Sequence, residues 1–218
     1  MRSHFDEELT GLFRDLAAMC GQVERAVVRA TAALLEGDAV IAEEVISGDT
    51  AIDRTREEIE EAAFLLLSLQ QPVAGDLRTV VAALRMVSEL ERMGDLSVHV
   101  AKIARLRVPE RAVPDDVRPV VERMAQVAID MVAGAGGIIL SRDVAAAAAL
   151  AKADEEMDGL RRTSFADMLA ADWPHGVEAA VDLALLGRYY ERIADHAVSV
   201  ANRVVFVVTG ASPYSLSE

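Results

Sequence analysis

Glu91, Asp95 and His99 follow one another at four-residue intervals in the stretch LRMVSELERMGDLSVHVAKIARL, residues 84-106. At 3.6 residues per helical turn these three lie almost in line along one face, so two carboxylates and an imidazole share a stripe. One hundred positions later, LLGRYYERIADHAVSVANRVVFV (185-207) repeats the pattern with Glu191, Arg192 and Asp195. Like charges one turn apart cost a helix about 0.2–0.5 kcal/mol per pair in the open. They cost more when a neighbouring helix adds further acids. Hard oxygen donors suit Mg, Mn or Ca, and an added imidazole shifts the preference toward Fe, Mn or Zn. The plain alternative is a solvated stripe, with Arg92 and Arg192 making ordinary helix ion pairs to Asp95 and Asp195. His196 sits beside Asp195 and points about 100° away from it, which takes it out of the ligand set.

Acids four apart are no commoner here than random placement gives; register carries the information. Asp49 and Asp53 correspond to Asp154 and Asp158 at an offset of 105, and Glu91 and Asp95 to Glu191 and Asp195 at 100. Leu35-Glu36-Gly37-Asp38 likewise matches Leu140-Ser141-Arg142-Asp143, and Gln71-Pro72 matches Trp173-Pro174. An offset that drifts only at the loops is what a duplicated helical unit leaves behind. The matched acids fall on the second and third helix of each half, where adjacent helices bring them together.

The elements that position these residues are six helices. Punctuation falls at Gly37-Asp38, Pro72, the Pro109/Pro114/Pro119 segment, Ser141 to Asp143, and Pro174. The first piece, roughly 4-36, spaces Phe5, Leu9, Leu12, Phe13, Leu16, Met19, Cys20, Val23 and Val27 close to a core-facing stripe. The second starts at Asp38, an N-cap residue, and ends before Pro72. The third runs to about Leu106, and the linker RVPERAVPDDVRP (107-119) separates the halves. The expectation is an all-α chain of two tandem, pseudo-symmetric three-helix bundles, residues 1-112 and 113-218, lying side by side or end to end.

Composition agrees and narrows the function. Of 218 residues 52% are hydrophobic and only 4% aromatic, with sparse Gly and Pro, which favours long helices over sheets. A net charge of -14 without a basic run disfavours a nucleic-acid partner. Cys20 is the only cysteine, so an intrachain disulfide is excluded and a cytoplasmic setting is expected. The N-terminus MRSHFDEELTGLF lacks the shape of a signal peptide, and no run of 18 uninterrupted apolar residues occurs, so no bilayer crossing is expected. No nucleophile stands beside a base and no glycine-rich phosphate loop is present, so the chain is not expected to be an enzyme.

Four segments, SGDTAIDRTREEIE, LLLSLQQPVAGDLRTVV, ELERMGDLSVHVAKIA and YYERIADHAVSVANRVVFVVTG, resemble the signature stretches of the PhoU family across nearly the whole chain. The resemblance implies two symmetric three-helix bundles, a homodimer, and multinuclear metal sites on E/D-x-x-x-D motifs. Asp49, Asp53, Glu91 and Asp95 would serve one bundle, and Asp154, Asp158, Glu191 and Asp195 the other, the metal being Fe, Zn, Mn or Mg. It also implies a regulatory adaptor that engages the ATPase of the phosphate ABC transporter and a phosphate sensor histidine kinase, meeting the membrane only through them. Uptake and the phosphate-starvation response would then be restrained when phosphate is plentiful. A metal-storage bundle, or a metal-dependent phosphohydrolase, is the alternative. Where the family commonly has Asn four residues after the motif aspartate, this chain has His99 and Ser199, and Glu57 is matched by Arg162. The first site is therefore expected to be the better equipped, the second depleted or empty.

Overall fold

The computed structural model describes residues 2–211, which form six helices and, among the described residues, no strand. They are α1 (Arg2–Glu36), α2 (Ala39–Gln70), α3 (Ala74–Arg107), α4 (Arg118–Ser141), α5 (Val144–Met168) and α6 (Gly176–Thr209). The breaks fall where the sequence punctuates them. Asp38 and Asp143 are both N-caps, each accepting the backbone N–H groups two and three residues on. Gly37 and Arg142, the residues before these caps, both take the left-handed conformation, at φ 70° and 56°. The same turn is thus built twice, once with the residue that suits it and once with an arginine. Pro119 lies in the first turn of α4, where its missing N–H costs nothing.

Packing follows the duplication. Among the described residues α2 packs against α1 and α3 alone, and α5 against α4 and α6 alone, while the halves meet side by side through α1 on α4 and α3 on α6. The α3–α6 seam is antiparallel. Contacts climb one helix as they descend the other: Arg78 with Val207, Glu89 with His196, His99 with Tyr189, and Arg107 with Asp182. Each half is a three-helix unit, yet one continuous core runs through both, including Leu16, Met19, Leu34, Met86, Met93, Met124, Ile139 and Tyr190. Each such side chain, fully withdrawn from water, is worth about 1.5–3 kcal/mol. Tyr190 spans the halves, its hydroxyl 2.9 Å from that of Thr31 on α1.

Cys20 lies in the α1–α4 contact, donating to the Val132 carbonyl at 3.2 Å. Gly136 makes that contact possible, since a Cβ there would stand 3.3 Å from the Cys20 sulfur. Burial pushes the thiol up to about 12, so it is packing and not a nucleophile. α4 is long and apolar enough by composition to cross a membrane, which a search for uninterrupted apolar runs passes over. Half of its most apolar window is buried, with Val121, Met124, Ala128 and Val132 packed in the core.

Candidate metal centres on the two carboxylate seams

Two lines of acids face each other where α2 meets α3. Asp49 and Asp53 project from α2 one turn apart, and Glu91 and Asp95 from α3. Gly94 brings the helices close here: a Cβ at that position would stand 3.2 Å from Ile52 and 3.6 Å from Asp49 Oδ1. The carboxyl of Asp49 is raised from 3.8 to about 6, first by burial and then by Asp95, Asp53 and Glu91, with Lys102 pulling the other way. Glu91 is raised too, by burial and by Asp95, against the pull of Arg92 and Arg56. Four acids thus feel one another across the seam.

The second half repeats the arrangement between α5 and α6. Asp154 is raised to about 6 by burial, Asp195, Asp158 and Glu191. Asp195 is raised by burial and Glu191, while Arg188 and His196 lower it. All eight acids singled out by register therefore fall on the two matched seams.

The seams differ in what neutralises them. In the first, arginines approach from the margin. Arg56 Nε is 3.9 Å from Asp53 and its other nitrogens reach Glu57 and Glu60, while Arg92 lies 3.7 Å from both Glu91 and Asp95. In the second, Glu191 is buried and gripped from two sides, by Arg161 at 3.1 Å and by a short bond from Arg188. Arg162, the expected source of positive charge, instead donates to the Asp158 carbonyl. The sequence reading missed Arg161 and Arg188. Arg161 is the partner of Arg56 at the same offset of 105, which is the signal available; Arg188 stands where the first half has Ser88.

His99 shares the stripe with Asp95, but its ring stacks on Tyr189 of α6, with centroids 5.3 Å apart. His196, set aside as a ligand, bonds Glu89 at 2.6 Å across the halves. Among the described residues no three His, Cys, Asp or Glu side chains converge tightly enough to grip one cation as they stand. The seams are repelling carboxylate lines held partly in check by arginines.

The PhoU domain family matches the chain twice, over residues 16–104 and 121–204. A Mycobacterium tuberculosis protein named phosphate-specific transport system accessory protein PhoU homolog 2 is 48% identical over 213 residues, covering 98% of this chain and all of that one. PhoU homolog 1 of Mycobacterium leprae is 46% identical, over 98% of this chain and 96% of its own. The crystal structure of PhoU from Pseudomonas aeruginosa superposes with a TM-score of 0.88 at 29% identity, over 95% of this chain and the whole of that one. The phosphate transport system regulatory protein PhoU from Streptococcus pneumoniae gives 0.86 at 26% identity, over 95% and 98% of the two chains. A repeated three-helix unit with acids in register, matched from end to end by such relatives, places this chain in the PhoU family.

Proposed function

We propose that the protein is a cytoplasmic regulatory adaptor of phosphate uptake. It acts as a homodimer that restrains the phosphate ABC transporter, through its ATPase subunit, and the sensor histidine kinase of a two-component pathway when phosphate is plentiful. One observation carries the reading: both halves match proteins named as accessories or regulators of phosphate transport, over nearly their full length. Long helical faces suit an adaptor, because they present continuous surface to partners. The experiment is deletion of the gene. Phosphate-starvation genes should be derepressed in phosphate-rich medium and restored by the wild-type copy; unchanged expression, in a strain without a second homologue, would end the reading.

We also propose that the α2–α3 seam takes Fe, Zn, Mn or Mg. The donor set fits: hard carboxylate oxygens from two helices, raised in pKa by mutual repulsion that a cation relieves. Asp49, Asp53, Glu91 and Asp95 would hold the metal, with His99 at the margin if its ring leaves Tyr189. Bound metal would supply positive charge and cross-link α2 to α3. The carboxylates' own part is to turn away from Arg56 and Arg92, whose 3.7–3.9 Å contacts to them are loose. The α5–α6 seam fits less well, because Glu191 is already closed in by two guanidinium groups.

A further inference from the structure

The duplication fails at one place in an informative way. At one end of the antiparallel α3–α6 seam, Arg107 is held by Asp182 at 2.5 and 3.1 Å and by a short bond to Glu178. An offset of 100 carries Arg107 to Val207, Asp182 to Ala82 and Glu178 to Arg78. At the opposite end the acids are therefore gone and an arginine stands in place of one of them. Two more arginines have been added there, Arg85 and Arg203, whose counterparts are Leu185 and Ile103.

These three arginines line one cleft of about 460 Å³ between the start of α3 and the end of α6. Its other walls are Leu77, Val81, Ala82 and Phe206, with Ala74 and Gly210 at its edges, and none of its lining residues is acidic. In a chain of net charge -14 that is a local reversal of sign. Arg78 is held in place, with no ion pair among the described residues. One terminal nitrogen donates to the Val207 carbonyl at 3.2 Å, and the guanidinium lies 5.8 Å from the centre of the Phe206 ring. Its Nε is buried with no hydrogen-bond acceptor. Gly210, at φ 75°, lets the chain pass so close that a Cβ would stand 3.0 Å from Arg78 Nη1. Arg85 is exposed and has no ion pair among the described residues. The first turn of α3 has no side-chain cap at Val73 and carries Asp76, which does not line the cleft.

We infer that this cleft binds a phosphate group, free or carried on a small organic molecule. Guanidinium forks match phosphate oxygens in pairs, and Arg78 and Arg85 set about one opening, with Arg203 adding positive charge to its wall, are a phosphate-type site. The volume is within the roughly 300–1,000 Å³ range of small-molecule sites, and the apolar wall gives an organic part somewhere to lie. The site stands apart from the adaptor reading, so the gene deletion above and the titration below can fail separately.

The test is calorimetric titration of the full chain at low ionic strength with two probes, orthophosphate and ADP. At least one should bind, and tighter binding of ADP assigns the apolar wall to the organic part. Arg85→Gln, on the surface, should weaken that binding about tenfold. Arg14→Gln, an exposed arginine elsewhere on α1, should leave it unchanged. Binding of neither probe overturns the inference, as does equal weakening by Arg14→Gln, which would make the attraction diffuse. Circular dichroism of each variant separates lost binding from lost fold.

Discussion

Asp49 and Asp154 are the residues at which the molecule's electrostatics are most exposed to measurement. Each is raised from 3.8 to about 6, chiefly by burial and by acids on the facing helix. A carboxyl whose pKa is higher folded than unfolded holds its extra proton in the native state. Its contribution therefore favours folding at low pH and is lost as pH rises from roughly 4 through 6. Both carboxyls are partly solvated, so screening reduces the effect to on the order of 1 kcal/mol each. Asp49→Asn should accordingly stabilise metal-free protein by about 1 kcal/mol at pH 7.5, measured by urea denaturation in chelator, and give no gain near pH 4. A destabilised variant at pH 7.5 would show that the charge is compensated. The acids themselves were legible in the sequence, because register repeats them at fixed offsets. Their counter-charges were only half legible: Arg188 stands three residues before Glu191 on the same helix, the spacing of an ordinary helix ion pair, whereas Arg161 reaches Glu191 only because the fold packs α5 against α6.

At the scale of the helices, boundaries, the core stripe of α1 and the acid faces of α2, α3, α5 and α6 were legible, and the contact between the halves was not. Asp38, Asp143 and the prolines mark ends through local chemistry, so each of the six helices starts or stops within two residues of one that announces it. Asp38→Ala and Asp143→Ala should each cost about 1 kcal/mol in urea denaturation, with nearly equal losses because the same turn is built twice. What no local pattern announces is the antiparallel contact of α3 with α6, which draws His99 toward Tyr189 and His196 toward Glu89. The hidden lock of that contact is Asp182, buried beneath Arg107 and Glu178 on a helix turn that looks like any other acidic pair. Removing it leaves Arg107 with one exposed partner. Asp182→Ala should cost about 2 kcal/mol, while Glu178→Ala, at the solvent edge, should cost under about 1 kcal/mol.

Across the whole molecule, duplication has produced two halves that share a core and an outline but not a charge distribution. The first half presents its acid seam with arginines in loose contact at the margin; the second ties Arg161 and Arg188 directly to Glu191. A guanidinium already bonded to Glu191 must be displaced before a cation can use that carboxylate, and the displaced arginine then repels the cation. On the proposed metal reading, the two halves should therefore load unequally. Protein purified without chelator and analysed by elemental mass spectrometry should lose most of its metal in an Asp49→Ala/Asp95→Ala variant and little in Asp154→Ala/Asp195→Ala. Arg188→Ser, which restores the residue type of the first half at this position, should raise the metal content per chain by adding capacity to the second seam. Equal trace metal in all four proteins would remove cations from both seams and leave the arginines as their permanent counter-charge, an outcome under which the adaptor role would have to rest on the helical faces alone.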